Sequence, residues 1–450
     1  MMLVPLSRLL PAGRADEAPV ALRDGALLSF AQFRADIARA AGRIEAAGIK
    51  RGLLVAKDSY LFAAGLFALL HSGADVILPP NTQPGSLRTA LGDADALVTD
   101  DASAGGLLLT AGARVDGDPL RPIDEDRSRI KFYTSGSTGG RKAVDKSLGQ
   151  LEREIAVLET LFGATLGAAR IHGTVSHQHI YGLTFRVLWP LMAGRVFIAH
   201  EHHLWESLLA ELAPPAAIIS SPAHLSRLGA LTPLAPGRRP ALIATAGAPL
   251  SWQAAEECLT LFGRQPTEIF GSTETGAIAH RIRQTPDAPW QLLPGVEAIA
   301  EETGELTVRS PFTNGRIRTA DRVEFIDKDR FHFNGRSDRI IKIEGKRVSM
   351  LEVEQHLARL PWLGDVSVLP LTEGRVFLGA VATLTEDGRV ALAEVGKFRF
   401  ERAIRRELAA TQDEAALPRR WRFVDEIPAD AMGKHPRALL EALFDPSDHG

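Results

Sequence analysis

Hydrophobic and polar positions along the chain follow two periods. In residues 28–50, LSFAQFRADIARAAGRIEAAGIK, the apolar residues Phe30, Phe33, Ile37, Ala40, Ala41 and Ile44 fall three and four apart. That spacing places them on one helix face, with Ser29 as the N-cap and Gly48 closing the run. A short strand, LLVAK, follows. Residues 60–73 read as a buried helix ending at Gly73, and 75–79 (DVILP) as a buried strand. Strand–helix–strand alternation predicts an α/β fold, a sheet with helices on its faces.

The alternation continues. Residues 130–134 (IKFYT) read as a strand, a Gly/Ser loop follows, and 147–162 read as a helix. Residues 216–220 and 242–245 read as buried strands, each feeding a turn. Over 286–336 the period shortens to two in ELTVRS, RVEFID and RFHFNGR, which predicts a β-rich subdomain of hairpins. A smaller α/β unit follows Arg336, with helices at 350–360 and 396–410 and strands near 366–370 and 376–384. The expected division is therefore a large N-terminal domain, 1–335, and a small C-terminal domain, 336–450.

Composition narrows the function classes. A chain of 450 residues exceeds what one simple core accommodates. With 45% hydrophobic and 24% charged residues it is an ordinary globular chain and not a disordered one. The net charge is −3, and neither side of Arg336 carries the basic excess that nucleic-acid binding needs. A single cysteine, Cys258, excludes an internal disulfide and a cysteine-built metal cluster. The longest apolar run, 60–70, is too short to span a bilayer. The N-terminus, MMLVPLSRLLPAGR, lacks a basic residue ahead of its short apolar stretch, so no signal peptide and a cytoplasmic protein are expected.

The most informative stretch is Tyr133-Thr134-Ser135-Gly136-Ser137-Thr138-Gly139-Gly140-Arg141-Lys142. Glycines let the backbone approach a ligand closely, and consecutive N–H groups with hydroxyls form a nest for phosphate oxygens. Lys142 adds a point charge. The loop is not a Walker A sequence, because Lys142 is followed by Ala143 and not by Ser or Thr. A flexible linker has the same composition; the position after a strand and the terminal lysine favour phosphate binding.

This segment resembles the phosphate-binding signature of the adenylate-forming superfamily, which includes acyl- and aryl-CoA synthetases, nonribosomal adenylation domains and luciferases. The resemblance extends in the family's order over nearly the whole chain. His177-Gln178-His179-Ile180-Tyr181-Gly182 is similar to a His-x-x-Gly segment, which puts His179 beside the acid's carboxylate. Ala244-Thr-Ala-Gly247-Ala248-Pro249 resembles the turn against the adenine. Phe270-Gly271-Ser272-Thr273-Glu274 resembles an aromatic-Gly-x-Thr-Glu motif. Its chemistry is legible: an aromatic to stack, a hydroxyl for a phosphate oxygen and a carboxylate for Mg²⁺. A capped helix start at Ser272 or Thr273 fits the same residues.

Thr319-Ala320-Asp321 stands where the family has Thr-Gly-Asp, with Asp321 on the ribose; Ala320 limits positive φ, so the local turn is expected to differ. Gly335-Arg336-Ser337-Asp338, continuing to Lys342 and Arg347, resembles the hinge motif. That implies Arg336 on the ribose, Asp338 as pivot, and Lys342 and Arg347 toward nucleotide or phosphates. Pro428 to Gly433-Lys434 resembles the loop that delivers a catalytic lysine, Lys434.

What the resemblance implies is ATP- and Mg²⁺-dependent activation of a carboxylic acid, aryl or fatty, to an acyl-adenylate. A large N-terminal domain and a mobile C-terminal domain would carry it. Cys258 matches no motif, so the thiol acceptor is external: coenzyme A, or the phosphopantetheine of an acyl carrier protein. The acyl pocket is expected from 177–190, 220–225 and 245–275, with Phe185 and Trp189 making it apolar. Two other readings stand beside this one, a catalytically inactive nucleotide-binding sensor of the same fold and a kinase or ATPase acting at the γ-phosphate. Lys434, Glu274 and Asp321 weigh against the first, and the missing Walker A against the second. The histidines 172, 177 and 179 lack a carboxylate or cysteine partner at a familiar ligand spacing, and His200-Glu201-His202-His203 reads as a polar loop.

Overall fold

The computed structural model describes residues 3–112, 120–135, 141–229, 231–343, 346–410, 412–430 and 435–444. The chain forms two compact units, residues 1–297 with 308–317, and residues 298–307 with 318–450. Packing divides the chain ahead of 335/336 because Arg330–Arg336 pairs antiparallel with the strand Arg316–Phe325, Asp321 opposite Arg336.

In the larger unit, the helix Phe30–Ala46 starts at Ser29, whose hydroxyl accepts from the Gln32 N–H, and Gly48 turns left-handed beyond its end at φ 66°. The next helix, Ser59–His71, is buried all round from Ser59 to Leu70. The Asp58 carboxylate caps it by accepting from the N–H groups of Tyr60 and Leu61.

These helices flank a sheet ordered Leu107–Leu108, Ala96–Thr99, Arg51–Val55, Asp75–Leu78, Ile130–Ser135 and Arg141–Lys146. Its pairings are parallel until the last, where Arg141–Lys146 turns back antiparallel on Ile130–Ser135. The strands on either side of the expected loop thus pair antiparallel. The returning segment RKAVDK has weak strand propensity, and ladder pairing overrides it.

A second sheet in this unit runs from Trp290–Leu292 through Gly276–Ile282, Thr267–Ser272, Leu242–Ala246, Ala216–Ser220, Arg170–Gly173 and Phe197–Ile198 to Pro19–Arg23 and Ala26–Ser29. Its centre is parallel, and its runs Ala216–Ser220 and Leu242–Thr245 are wholly buried, as continuous apolar strands should be. The helix Leu148–Leu166 extends past the expected 147–162. It begins with a reciprocal capping box between Ser147 and Gln150 and carries three acidic side chains, Glu152, Glu154 and Glu159, into the interior.

In the smaller unit a hairpin, Ile340–Ile343 with Lys346–Ser349, precedes the helix Met350–Leu357. A three-stranded sheet of Leu363–Glu373, Arg375–Leu384 and Arg420–Phe423 packs Leu378, Ala380 and Trp421 against Val353, Leu357, Phe400 and Ile404. Among the described residues no helix is long and apolar enough to cross a membrane.

Candidate active site

The phosphate-loop candidates divide by what is described. Thr134 pairs with Lys142 and Ser135 with Arg141 in the hairpin ladder. Gly136, Ser137, Thr138 and Gly139 lie outside the described residues, as do the side chains of Thr134, Ser135 and Lys142.

The segment Phe270–Glu274 is the near arm and apex of a β-hairpin, so the helix start is excluded. Strand Thr267–Ser272 turns over residues 273–275 into Gly276–Ile282, with Gly271 opposite Ala277 and Ser272 opposite Gly276. The arms approach too closely for side chains: a Cβ on Gly271 would stand 2.1 Å from the Gly276 carbonyl oxygen. Gly276 is left-handed at φ 68°, and a Cβ there would meet the Glu154 carboxylate at 2.6 Å. The Ser272 N–H donates to Thr275 Oγ1 (3.0 Å), which latches the turn.

A residue absent from the sequence-based set holds this apex. Lys146, the last residue of the strand Arg141–Lys146, is buried; its Nζ donates to the Glu274 carbonyl oxygen (2.7 Å) and the Phe312 carbonyl oxygen (3.2 Å). Burial lowers the Lys146 pKa, against the opposing fields of Glu154 and Glu274. Glu154 accepts from the Ala277 N–H (2.9 Å), and burial raises its pKa. Lysine, glutamate and hairpin thus form one buried polar assembly. No motif signalled Lys146; only its place immediately before the Ser147 N-cap set it apart.

Glu274 is half-buried at the turn, and a carboxylate is the kind of hard oxygen donor that Mg²⁺ takes. The residues present therefore fit the ion. Phe270 is half-buried, with its ring centroid 5.1 Å from that of Trp290, which the Arg281 guanidinium covers at 4.2 Å. Gly247 leaves the strand Leu242–Ala246 at φ 95°, where a side chain would be strained; Ala248 is half-buried and Pro249 exposed.

The two neighbouring histidines differ. His179 is half-buried and stands at the N-cap position of the short helix Ile180–Gly182, without a side-chain capping bond. His177 is buried, with Nδ1 2.9 Å from Ser59 Oγ and Nε2 2.8 Å from the Ala56 carbonyl oxygen. The carbonyl can only accept, so Nε2 carries the proton and Nδ1 accepts from Ser59. The Ser59 oxygen in turn accepts from the buried Arg186 (3.1 Å). Burial, reinforced by Arg186, pushes the His177 pKa down to about 3. Both ring nitrogens are used internally, so His177 is no metal ligand here. Phe185 and Trp189 are buried and line a small cavity with Leu166, Ile171 and Ile219: they meet edge to face, and the Trp189 indole N–H donates to Glu159 (2.7 Å).

In the smaller unit the ribose candidates stand together. Arg336 Nη1 donates to Asp321 Oδ1 (3.0 Å), while its Nε and Nη2 engage Asp338 at 2.9 and 2.7 Å. The side-chain hydrogen bond with Asp338 leads the causes that raise the Arg336 pKa; burial raises that of Asp321 despite the guanidinium. Thr319–Asp321 lie within the strand Arg316–Phe325, and among the described residues Asp24 is the one non-glycine at positive φ. Ala320 therefore needs no left-handed turn. Lys342 pairs with Arg347 in the following hairpin, but their side chains, like all of Lys434, lie outside the described residues.

Residues 12–313 match the family of AMP-binding enzymes, two thirds of the chain. The chain belongs to that family. A 4-coumarate–CoA ligase of Rhodobacter capsulatus is 29% identical over 312 residues, 69% of this chain and 75% of that protein. A propionate–CoA ligase of Escherichia coli is 25% identical over 410 residues, 75% of this chain and 62% of that one. Among solved structures, ATP-bound MatB from Rhodopseudomonas palustris superposes with a TM-score of 0.83 at 20% identity, covering 99% of both chains. An o-succinylbenzoate CoA synthetase from Bacillus subtilis, in complex with its acyl-adenylate, gives 0.79 at 18% identity over 98% and 99%. At these identities the structures establish that this AMP-binding enzyme shares their α/β fold.

Proposed function

We propose that the chain is an AMP-forming acid–thiol ligase. It transfers the AMP group of ATP to the carboxylate of a small acid, releasing pyrophosphate, then passes the acyl group to coenzyme A with release of AMP. The observation that carries the reading is the bond from Lys146 Nζ to the Glu274 carbonyl oxygen, which ties the end of the phosphate-loop hairpin to the turn bearing the candidate metal carboxylate. Names of relatives add weight: those quoted above act on 4-coumarate and propionate with CoA.

Adenylation is an in-line displacement at the α-phosphorus, and positioning and charge neutralisation dominate such a step. Thr134 to Gly139 and Lys142 would hold the phosphates, Gly247–Pro249 and Phe270–Thr273 the adenine and neighbouring phosphate, and Asp321 with Arg336 the ribose. His179 would face the acid's carboxylate. Glu274 would hold Mg²⁺, whose charge neutralises phosphate oxygens when bound. Lys434 would lie beside the carboxylate and the α-phosphate, with Lys342 and Arg347 on the nucleotide. In this reading residues 1–335 and 336–450 act as the two domains, Asp338 is the pivot, the protein works in the cytoplasm, and an acyl carrier protein's phosphopantetheine is the alternative acceptor.

The test is ATP–pyrophosphate exchange with Mg²⁺ across aryl, short-chain and long-chain acids. Acid-dependent exchange is expected, with AMP as the nucleotide product once CoA is added. ATP binding without exchange for any acid would refute catalysis of this kind, and ADP as product would refute the site of attack. Thioester formation with CoA against a loaded carrier protein then separates the acceptors.

A further inference from the structure

The histidine-rich segment His200-Glu201-His202-His203 meets a carboxylate that its local spacing does not reveal. Among the described residues, His200, His202 and Glu211 each offer a ligand atom, and all three atoms lie within 4.8 Å of one another. Glu211 is the last residue of the helix Trp205–Glu211, and its Oε2 lies 3.3 Å from His200 Nε2. That separation is the edge length of a tetrahedron whose metal–ligand bonds are about 2.0–2.1 Å.

His202 supplies a second, independent observation. It is 1% exposed, and its Nδ1 has no hydrogen-bond partner. Its Nε2 lies 3.3 Å from Nδ1 of His172, itself buried. A metal-ligating histidine characteristically has its second nitrogen held by a hydrogen-bond acceptor, and here His172 Nδ1 stands in that place. A buried nitrogen with no partner is otherwise unfavourable.

We propose that His200, His202 and Glu211 bind a late first-row divalent cation, zinc above all, with water completing the coordination. Two imidazoles and one carboxylate suit Zn²⁺, whereas Mg²⁺ takes oxygen ligands. Binding selects the tautomer in which His202 Nε2–H donates to His172 and Nδ1 keeps its lone pair for the metal. His200 and Glu211 are 49% and 44% exposed at their side chains, so the ion enters from solvent. Once bound, it pins the loop after Phe197–Ile198 to the far end of the helix Trp205–Glu211. The loop is already anchored, since Arg186 donates to the His200 carbonyl oxygen (2.9 Å) and the Ser59 N–H to that of Ala199 (2.7 Å). The ion's role is thus structural, separate from Glu274 and independent of the proposed reaction.

Isothermal titration of the untagged full chain with Zn²⁺ alone tests the site, with Co²⁺ absorption reporting coordination geometry. One equivalent of Zn²⁺ and a tetrahedral Co²⁺ spectrum are expected, with a raised melting temperature. Glu211→Gln and His200→Ala, both at exposed positions that leave the metal-free fold intact, should each weaken binding by roughly tenfold or more. His203→Ala, outside the triad, should bind as the wild type does. No stoichiometric uptake by the wild type, or undiminished binding in either triad variant, overturns the proposal.

Discussion

The Lys146 ammonium lies 2.7 Å from the Glu274 carbonyl oxygen, with the Phe312 carbonyl as its second acceptor. Hydrogen bonds to a charged donor contribute about 1.5–3 kcal/mol, and removing one partner leaves buried carbonyls unsatisfied. Lys146→Met keeps the length of the side chain and deletes the donor. We predict a loss of stability of that size in urea unfolding. Exchange activity at limiting Mg²⁺ should fall about tenfold or more, with partial recovery at high Mg²⁺. A variant with lowered stability but wild-type Mg²⁺ dependence would confine Lys146 to packing.

Asp321 shares Arg336 with Asp338, and only its Oδ1 is taken by that contact. If its carboxylate accepts from the ribose, Asp321→Asn should raise the KM for ATP by roughly tenfold or more, the equivalent of one charged hydrogen bond. It should also erase the preference for ATP over 2′-deoxy-ATP. Exchange assays with both nucleotides decide this, and an unchanged preference would remove Asp321 from the ribose site.

His177 couples stability to acid. Its pKa is about 3 in the fold against the ordinary 6.5, so between those values the unfolded chain binds the extra proton. Stability is then complete above pH 6.5 and falls as pH drops through that window, by up to about 1.4 kcal/mol per unit for one histidine. Buried His172 and His202, held down to about 4 and about 3, act in the same direction. His177→Gln should be less stable at pH 7 yet lose less between pH 7 and pH 5 than the wild type. Equal slopes in urea titrations at the two pH values would contradict this assignment.

Lys434→Ala probes the proposed chemistry most directly. A preorganised charge at the site of developing negative charge is worth about 10²–10³ in rate. Pyrophosphate exchange should drop by that factor while equilibrium ATP binding stays within a few-fold of wild type. Near-wild-type exchange would take Lys434 out of adenylation.

The chain's periodicity made much of the fold legible. Ser29 caps its helix as its position implied, and the buried runs at 216–220 and 242–245 are central strands. Long-range pairing was less legible. The charged segment Arg141–Lys146 becomes a strand because Ile130–Ser135 offers it a ladder, and Ser272 to Glu274 turn in a hairpin because Gly271 and Gly276 permit the close approach. At the candidate site, motif order singled out Glu274, Asp321 and Arg336, whose proposed roles rest on their own side chains. Lys146 and Glu154 escaped notice because each acts through backbone groups more than a hundred residues away, which no local spacing records.

Gly271 isolates that long-range geometry in one methyl group. The Cβ of Gly271→Ala would stand 2.1 Å from the Gly276 carbonyl oxygen, a rigid backbone contact, so the two arms must part. Overpacking of this kind costs about 1–3 kcal/mol. Parting the arms also moves the turn away from Lys146 and Glu154, which grip it at Glu274 and Ala277. The variant should therefore fold with a lowered melting temperature and lose exchange activity by more than Lys146→Met does. The double variant should be little worse than Gly271→Ala alone, because both changes disrupt one assembly. Fully additive losses would show instead that the lysine and the glycine act on separate elements.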